Sequence, residues 1–169
     1  MNASPHERRA GPRAWRLAAL GLLLATATTL AAAGPARVEA FDKAAWETLK
    51  SSVRKPTVVL FTATYCAVCP AVFDQVSRTI AGKRLKLDLV GVVMDRSPGE
   101  DDAALLANAH LRQSSRLFAF EGNPQAVRYA VDPKWRGVTP FLAVLAPGKP
   151  PQLLVGAPTE RAMQDWARR

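Results

Sequence analysis

The chain has 169 residues, 23 Lys and Arg against 14 Asp and Glu for a formal net charge of +9, and only two cysteines. That length suits one modest domain once a leader is set aside, and leaves no room for a second. The basic residues are scattered, with no run interleaved with aromatics and no phosphate-cradling glycine loop. No nucleic-acid partner is therefore expected, and the charge favours acidic partners or a membrane surface only weakly.

At the N-terminus Arg8, Arg9, Arg13 and Arg16 precede an uncharged stretch over 17–33 that is rich in Leu and Ala. This is the pattern of a basic n-region followed by an apolar h-region. Ala31 and Ala33 suit signal peptidase, and Val38 with Ala40 offers a later site, so a mature chain would begin at Gly34 or Phe41. An uncleaved anchor is the rival, because about 17 residues can just span a hydrocarbon core. The weak Ala/Thr character after Leu24 favours cleavage. Arg8-Arg9 is similar to a twin-arginine signal, but Ala10-Gly11-Pro12 lacks the apolar continuation of that motif. Residues 1–40 are thus read as a signal peptide or N-terminal membrane anchor, and residues 41–169 as one domain delivered outside the cytoplasm, in the periplasm or beyond. Past residue 40 the chain keeps 18 Lys and Arg and 12 Asp and Glu, a net of +6.

Asp42 is placed to cap a helix over 43–51, with Ala45, Trp46 and Leu49 at amphipathic spacing. Residues 57–62 are β-branched and apolar without alternation, as in a strand buried on both faces. A helix follows over 67–80 and a second buried strand over 87–94. Glu100 to Asp102 lead into a helix reaching residue 111, and Asn123-Pro124 opens another to residue 130. Residues 141–145 and 152–155 form two strands around a turn over 147–151, and a helix over 159–168 closes the chain. Strands alternating with helices, then a hairpin and a helix, argue for a three-layer α/β sandwich with a mixed sheet.

Cys66 and Cys69 stand where the first of these strands feeds the mouth of a helix. There one thiol becomes a stabilised thiolate and the other lies within disulfide reach. Cys66 faces the first free N–H groups, which makes it the attacking thiol; Cys69, one turn deeper, resolves the mixed disulfide. The other reading is a bridge that only staples the turn, which would constrain the unfolded chain little because the loop is so short. Ala67 and Val68 add nothing to the helix dipole, so an intermediate or reducing poise is expected rather than a strongly oxidising one. Pro70 fits the first helical turn, where its missing N–H would be unpaired anyway.

Three stretches carry a resemblance: F-T-A-T-Y-C-A-V-C-P after a strand, L-V-G-V-V-M-D before an inserted helical stretch, and Y-A-V-D-P-K-W-R-G-V-T-P-F before the terminal hairpin. Over 41–169 the chain resembles the exported thioredoxin-like thiol–disulfide oxidoreductases related to cytochrome c maturation and to the alkyl hydroperoxide reductase superfamily. The resemblance implies a thioredoxin-like sandwich with a helical insertion before a cis-proline at Pro140, lying opposite the disulfide. It implies a substrate site at Thr139 and Pro140, where a client segment pairs with exposed backbone. Tyr65 is expected either to shield the thiol or only to pack, and Trp135 either to line the same groove or to act as a packing plug. The implied partners are proteins with thiols or disulfides and a membrane or exported redox partner that recycles the pair. No cofactor and no metal are expected, and the protein is read as a monomer.

Several positions depart from the pattern. Tyr65 stands where tryptophan is usual, Leu60 where a buried acid is kept by cytoplasmic thioredoxins, and Ala71, Val72 and Phe73 supply no carboxylate after Cys69. Asp74 is read as a surface residue, and His110 as a surface or half-buried residue of a helix rather than a base. The alternative is a copper chaperone similar to the SCO assembly factors, which share the fold and a cysteine pair followed by proline. Those separate the cysteines by three residues and add a later histidine, whereas here the spacing is two and 125–140 holds no histidine. Cu(I) would then rest on the two soft thiolates.

Overall fold

The computed structural model describes Met1 and residues 34–169; of the expected leader over 1–40, residues 2–33 lie outside the described residues. The elements run β1 (Val38–Phe41), α1 (Lys43–Ser52), β2 (Thr57–Thr62), α2 (Cys69–Gly82), β3 (Asp88–Val93), α3 (Asp102–Ala107), a 3-10 turn (Leu111–Gln113), β4 (Arg116–Phe120), α4 (Pro124–Val131), β5 (Phe141–Ala146), β6 (Lys149–Val155) and α5 (Glu160–Trp166). The six strands form one sheet in the order β1-β4-β3-β2-β5-β6. The first four are mutually parallel, and β5 and β6 are antiparallel to their neighbours.

The unbroken apolar run of β2 follows from this arrangement, because both faces of the strand are covered. Val58 and Leu60 face a layer that holds Val72, Phe73 and Val76 of α2, Leu105 of α3 and Met163 and Trp166 of α5. Val59 and Phe61 face the other layer, with Trp46 and Leu49 of α1 and Val127 and Val131 of α4. The same alternation runs through β3, β4 and β5, and it yields the expected three-layer thioredoxin-like sandwich with a mixed sheet. Each large apolar side chain withdrawn from water here contributes about 1.5–3 kcal/mol. Gly91 of β3 has no side chain because Leu117 and Phe73 close on it; a Cβ there would lie 3.1 Å from Leu117 and 3.4 Å from Phe73. That close approach seats α2, and with it the cysteine loop, on the sheet.

Four boundaries differ from the sequence reading. The domain starts before residue 41, since Val38, Glu39 and Ala40 pair with Leu117, Phe118 and Ala119. A strand at 116–120 is absent from that reading; its four buried residues form by pairing with β3 and β1, which are distant in sequence. The helix expected to reach residue 111 ends at Ala107, where the Asn108 side chain turns the chain by accepting from His110 N–H and Leu111 N–H. The turn expected over 147–151 is only Pro147-Gly148, with Gly148 at φ +67°. Pro150 and Pro151 belong to β6, an edge strand, where a missing ladder donor is tolerated. Among the described residues no helix is long and apolar enough to cross a membrane.

Candidate active site

Beyond Thr62 the chain closes two successive turns: Cys66 N–H donates to Ala63 O at 3.0 Å, and Cys69 N–H donates to Cys66 O at 3.2 Å. The loop is tied to the end of β3 by Asp95, which accepts from Thr64 N–H at 2.9 Å and from the Thr64 hydroxyl. Cys66 and Cys69 are joined by a disulfide, their Cα atoms 5.5 Å apart. Cys66 is half-buried and Cys69 only 1 % exposed, so a sulfur from another molecule can meet Cys66 alone.

Helix α2 starts at Cys69, two residues later than the sequence suggests, because Pro70 occupies its first turn. Val68 caps it without a side-chain hydrogen bond, and no acidic residue stands in the first turn. With neither a capping side chain nor an acidic residue there, the positive end of a 14-residue helix is left uncompensated beside Cys66. Leu60, fully buried beneath α2, takes the place of a buried acid.

The register brings a second loop to the same end of the sheet. Phe61 pairs with Phe141, so the segment before Phe141 lies beside the segment after Phe61. The Thr139–Pro140 peptide bond is cis. Pro140 O accepts from Gly156 N–H at 2.9 Å, which fixes the loop to the end of β6. Neither Thr139 N–H nor Thr139 C=O has a hydrogen-bond partner among the described residues. The two expected groove residues part company here. Tyr65 projects into solvent, 75 % exposed, whereas Trp135 is 6 % exposed and belongs to the core. Trp135 stacks on Phe141 with ring centroids 4.2 Å apart and donates from Nε1 to Val138 O at 2.9 Å. These contacts match the packing reading of Trp135 and hold the 136–139 loop.

A cavity of about 120 Å3 adjoins Cys66 and reaches His110. His110 sits in the turn after α3, not on a helix, and its Nδ1 lies 2.8 Å from Asp74 Oδ1. Gln113 Nε2 donates to the same carboxylate oxygen at 2.6 Å, and Arg78 stands 3.9 Å away. The hydrogen bond from His110, then that from Gln113, hold the Asp74 carboxyl below its usual range. Sequence reasoning read Asp74 as surface and His110 as surface or half-buried on a helix; the signal that brings them together is Asn108, whose capping side chain ends α3 and turns His110 back towards α2. Among the described residues no group of three or more His, Cys, Asp or Glu is placed to hold a metal ion.

No family model matches the sequence, and no curated protein matches it. Solved structures do match. The thioredoxin-related protein of Neisseria meningitidis serogroup B is 22% identical, with 69% of this chain and 86% of that chain covered and a TM-score of 0.51. Its likeness assigns the fold as thioredoxin-like. DsbF of Mycobacterium tuberculosis is 16% identical, with coverage of 68% and 79% and a TM-score of 0.48. A secreted M. tuberculosis disulfide oxidoreductase homologous to E. coli DsbE is 14% identical, with coverage of 68% and 81% and a TM-score of 0.47.

Proposed function

We propose that this protein is a thiol–disulfide oxidoreductase acting outside the cytoplasm, which exchanges the Cys66–Cys69 disulfide with protein thiols and works as a reductant. One observation carries the reading: a bonded cysteine pair at the start of a helix in a thioredoxin-like fold, with one sulfur reachable and the other buried. The reachable thiol is next to an uncompensated helix N-terminus, which favours its thiolate. Export is supported by the basic and apolar leader pattern over 8–33, and the reducing poise by the neutral Ala67 and Val68.

In the forward direction the Cys66 thiolate attacks one sulfur of a client disulfide, forming a mixed disulfide and releasing the client's other sulfur. Cys69 then attacks the Cys66 sulfur and releases the second client thiol. Two electrons and two protons pass to the client, and the Cys66–Cys69 bond forms. The client is a protein: Thr139 offers an unpaired N–H and C=O to an extended segment, and Tyr65 and Val68 of the cysteine loop and Val138 before Thr139 are exposed apolar surface. A membrane or exported partner returns the pair to the dithiol form.

Trapping tests the reading. Cys69→Ser accumulates mixed disulfides through Cys66, and Cys66→Ser accumulates none. Adducts recovered through Cys69, or none from either variant, would overturn it. The reducing direction rests on the potential of the couple, expected near that of thioredoxin at about −270 mV rather than that of DsbA at about −120 mV.

A further inference from the structure

Thiol–disulfide exchange moves protons as well as electrons, and the sequence around the cysteine pair holds no group to take one: Leu60, Ala67, Val68, Ala71 and Val72 are all apolar. The fold brings such a group from elsewhere. The cavity beside Cys66 has apolar walls in Phe73, Leu105 and Leu111, polar ones in Thr62, Thr64 and Asn108, and His110 lines it too. We propose that His110 is the proton acceptor for the Cys66 thiol and that Asp74 is its positioning residue, an inference that rests on the reading of Cys66 as the attacking thiol.

Hydrogen bonds fix the ring, and one cavity is lined by both His110 and Cys66. Nδ1 of His110 faces Asp74 Oδ1 at 2.8 Å, and a carboxylate can only accept, so the ring's first proton is on Nδ1 and its lone pair on Nε2. Nε2 has no partner among the described residues. Asp74 is itself fixed by Gln113 and flanked by Arg78, so the ring is held at one orientation by two elements. The hydrogen bonds from His110 and Gln113 favour the charged form of the Asp74 carboxyl, which keeps it an acceptor for the ring N–H. The charged and titratable groups about His110 are Asp74 and Arg78 from α2 and Cys66 from the cysteine loop. Residues 105 and 111, from α3 and the 3-10 turn, add only Leu side chains, and Asp95 faces the cavity through Thr64.

The step balances. The Cys66 S–H proton passes to Nε2, leaving a thiolate and an imidazolium. The thiolate attacks the client disulfide, one S–S bond forms as another breaks, and the departing client thiolate takes the proton back from Nε2. Cys69 then attacks Cys66, and the Cys69 proton goes to the second client thiolate. The client is reduced by two electrons and the cysteine pair is oxidised by two.

The test follows alkylation of the fully reduced protein by iodoacetamide as a function of pH, with the modified thiol located by peptide mapping. His110→Gln keeps a hydrogen bond to Asp74 but cannot take the proton. It is expected to slow Cys66 alkylation at neutral pH by about tenfold, as one unit of thiol pKa would, and to move the profile to higher pH. Asp74→Asn shifts the profile in the same direction by less, and carries the test should the first variant fold poorly. Added imidazole partly restores the rate of His110→Ala, which a packing role would not allow. Superimposable profiles for the parent, His110→Gln and Asp74→Asn would overturn the proposal. Alkylation needs no client, so a shifted profile in a protein that never reduces a client disulfide supports the proton acceptor while sinking the oxidoreductase reading; client reduction with unshifted profiles does the reverse.

Discussion

Tyr65 and Trp135 are paired by the resemblance as neighbours of the disulfide, and burial gives them opposite roles. A side chain with most of its surface in water contributes little to folding, so Tyr65→Ala changes stability by no more than about 0.5 kcal/mol. Its loss is felt where a client must be held, as slower reduction of a protein disulfide with unchanged reduction of a small one. Trp135 stacks on Phe141, packs edge-on to Phe61 at 4.9 Å and bonds the Val138 carbonyl. Trp135→Ala therefore costs about 3–5 kcal/mol and slows exchange on every disulfide by loosening the 136–139 loop. Urea unfolding and the two exchange assays together separate the roles; equal destabilisation by both variants would contradict the assignment. The Thr139-Pro140 step is expected only through the resemblance, since few X-Pro bonds are cis; Cys66 and Cys69 are readable as a short local motif. His110 and Asp74 are not, since they stand 36 residues apart and meet only because Asn108 ends a helix early.

Among the elements, β2, α2 and the terminal hairpin are readable because β-branched runs, a Pro in a first turn and a Pro-Gly step are local signals. Strands β1 and β4 are not. Four and five residues long, they are strands by virtue of pairing with each other and with β3. One cross-strand contact stabilises that pairing. Arg116 donates to both carboxylate oxygens of Glu39, from Nε at 2.8 Å and NH2 at 2.7 Å, and its guanidinium lies over the Phe118 ring. The hydrogen bond from Arg116 holds the Glu39 carboxyl below its ordinary range, against the opposing effect of burial. A carboxyl whose folded pKa is depressed contributes stability that is fully present above its unfolded pKa. That contribution is lost as pH falls through the folded value. Glu39→Gln is accordingly expected to lower stability at neutral pH by less than about 1 kcal/mol, the pair being partly exposed, and to unfold like the parent in acid. Urea titrations at both pH values check this, and a difference that persists or grows in acid would contradict the sign.

For the molecule as a whole, the question is where the folded unit starts. The sequence reading assigns residues up to 40 to a leader, and cleavage before either Gly34 or Phe41 satisfies the small-residue rule. The sheet distinguishes them. A chain starting at Gly34 keeps all of β1; one starting at Phe41 loses Val38, Glu39 and Ala40 and with them the ladder to Leu117, Phe118 and Ala119. Phe41 itself is fully buried, against Trp46, Phe61, Phe118 and Phe120, and without the rest of its strand it is left as a chain terminus with only those side-chain contacts to hold it. The shorter chain also exposes β4 as a new edge, with unpaired backbone groups that can recruit another copy. Losing the buried Val38 side chain alone removes about 1.5–3 kcal/mol, so the midpoint of thermal unfolding should fall by on the order of 5 °C or more. The comparison to make is residues 34–169 against residues 41–169, by thermal melts and by size-exclusion chromatography over a range of concentrations. The longer chain melts higher and stays at one size, and the shorter melts lower and associates as concentration rises. Equal melting points and equal sizes would mean that β1 is dispensable and that the domain begins where the sequence reading set it.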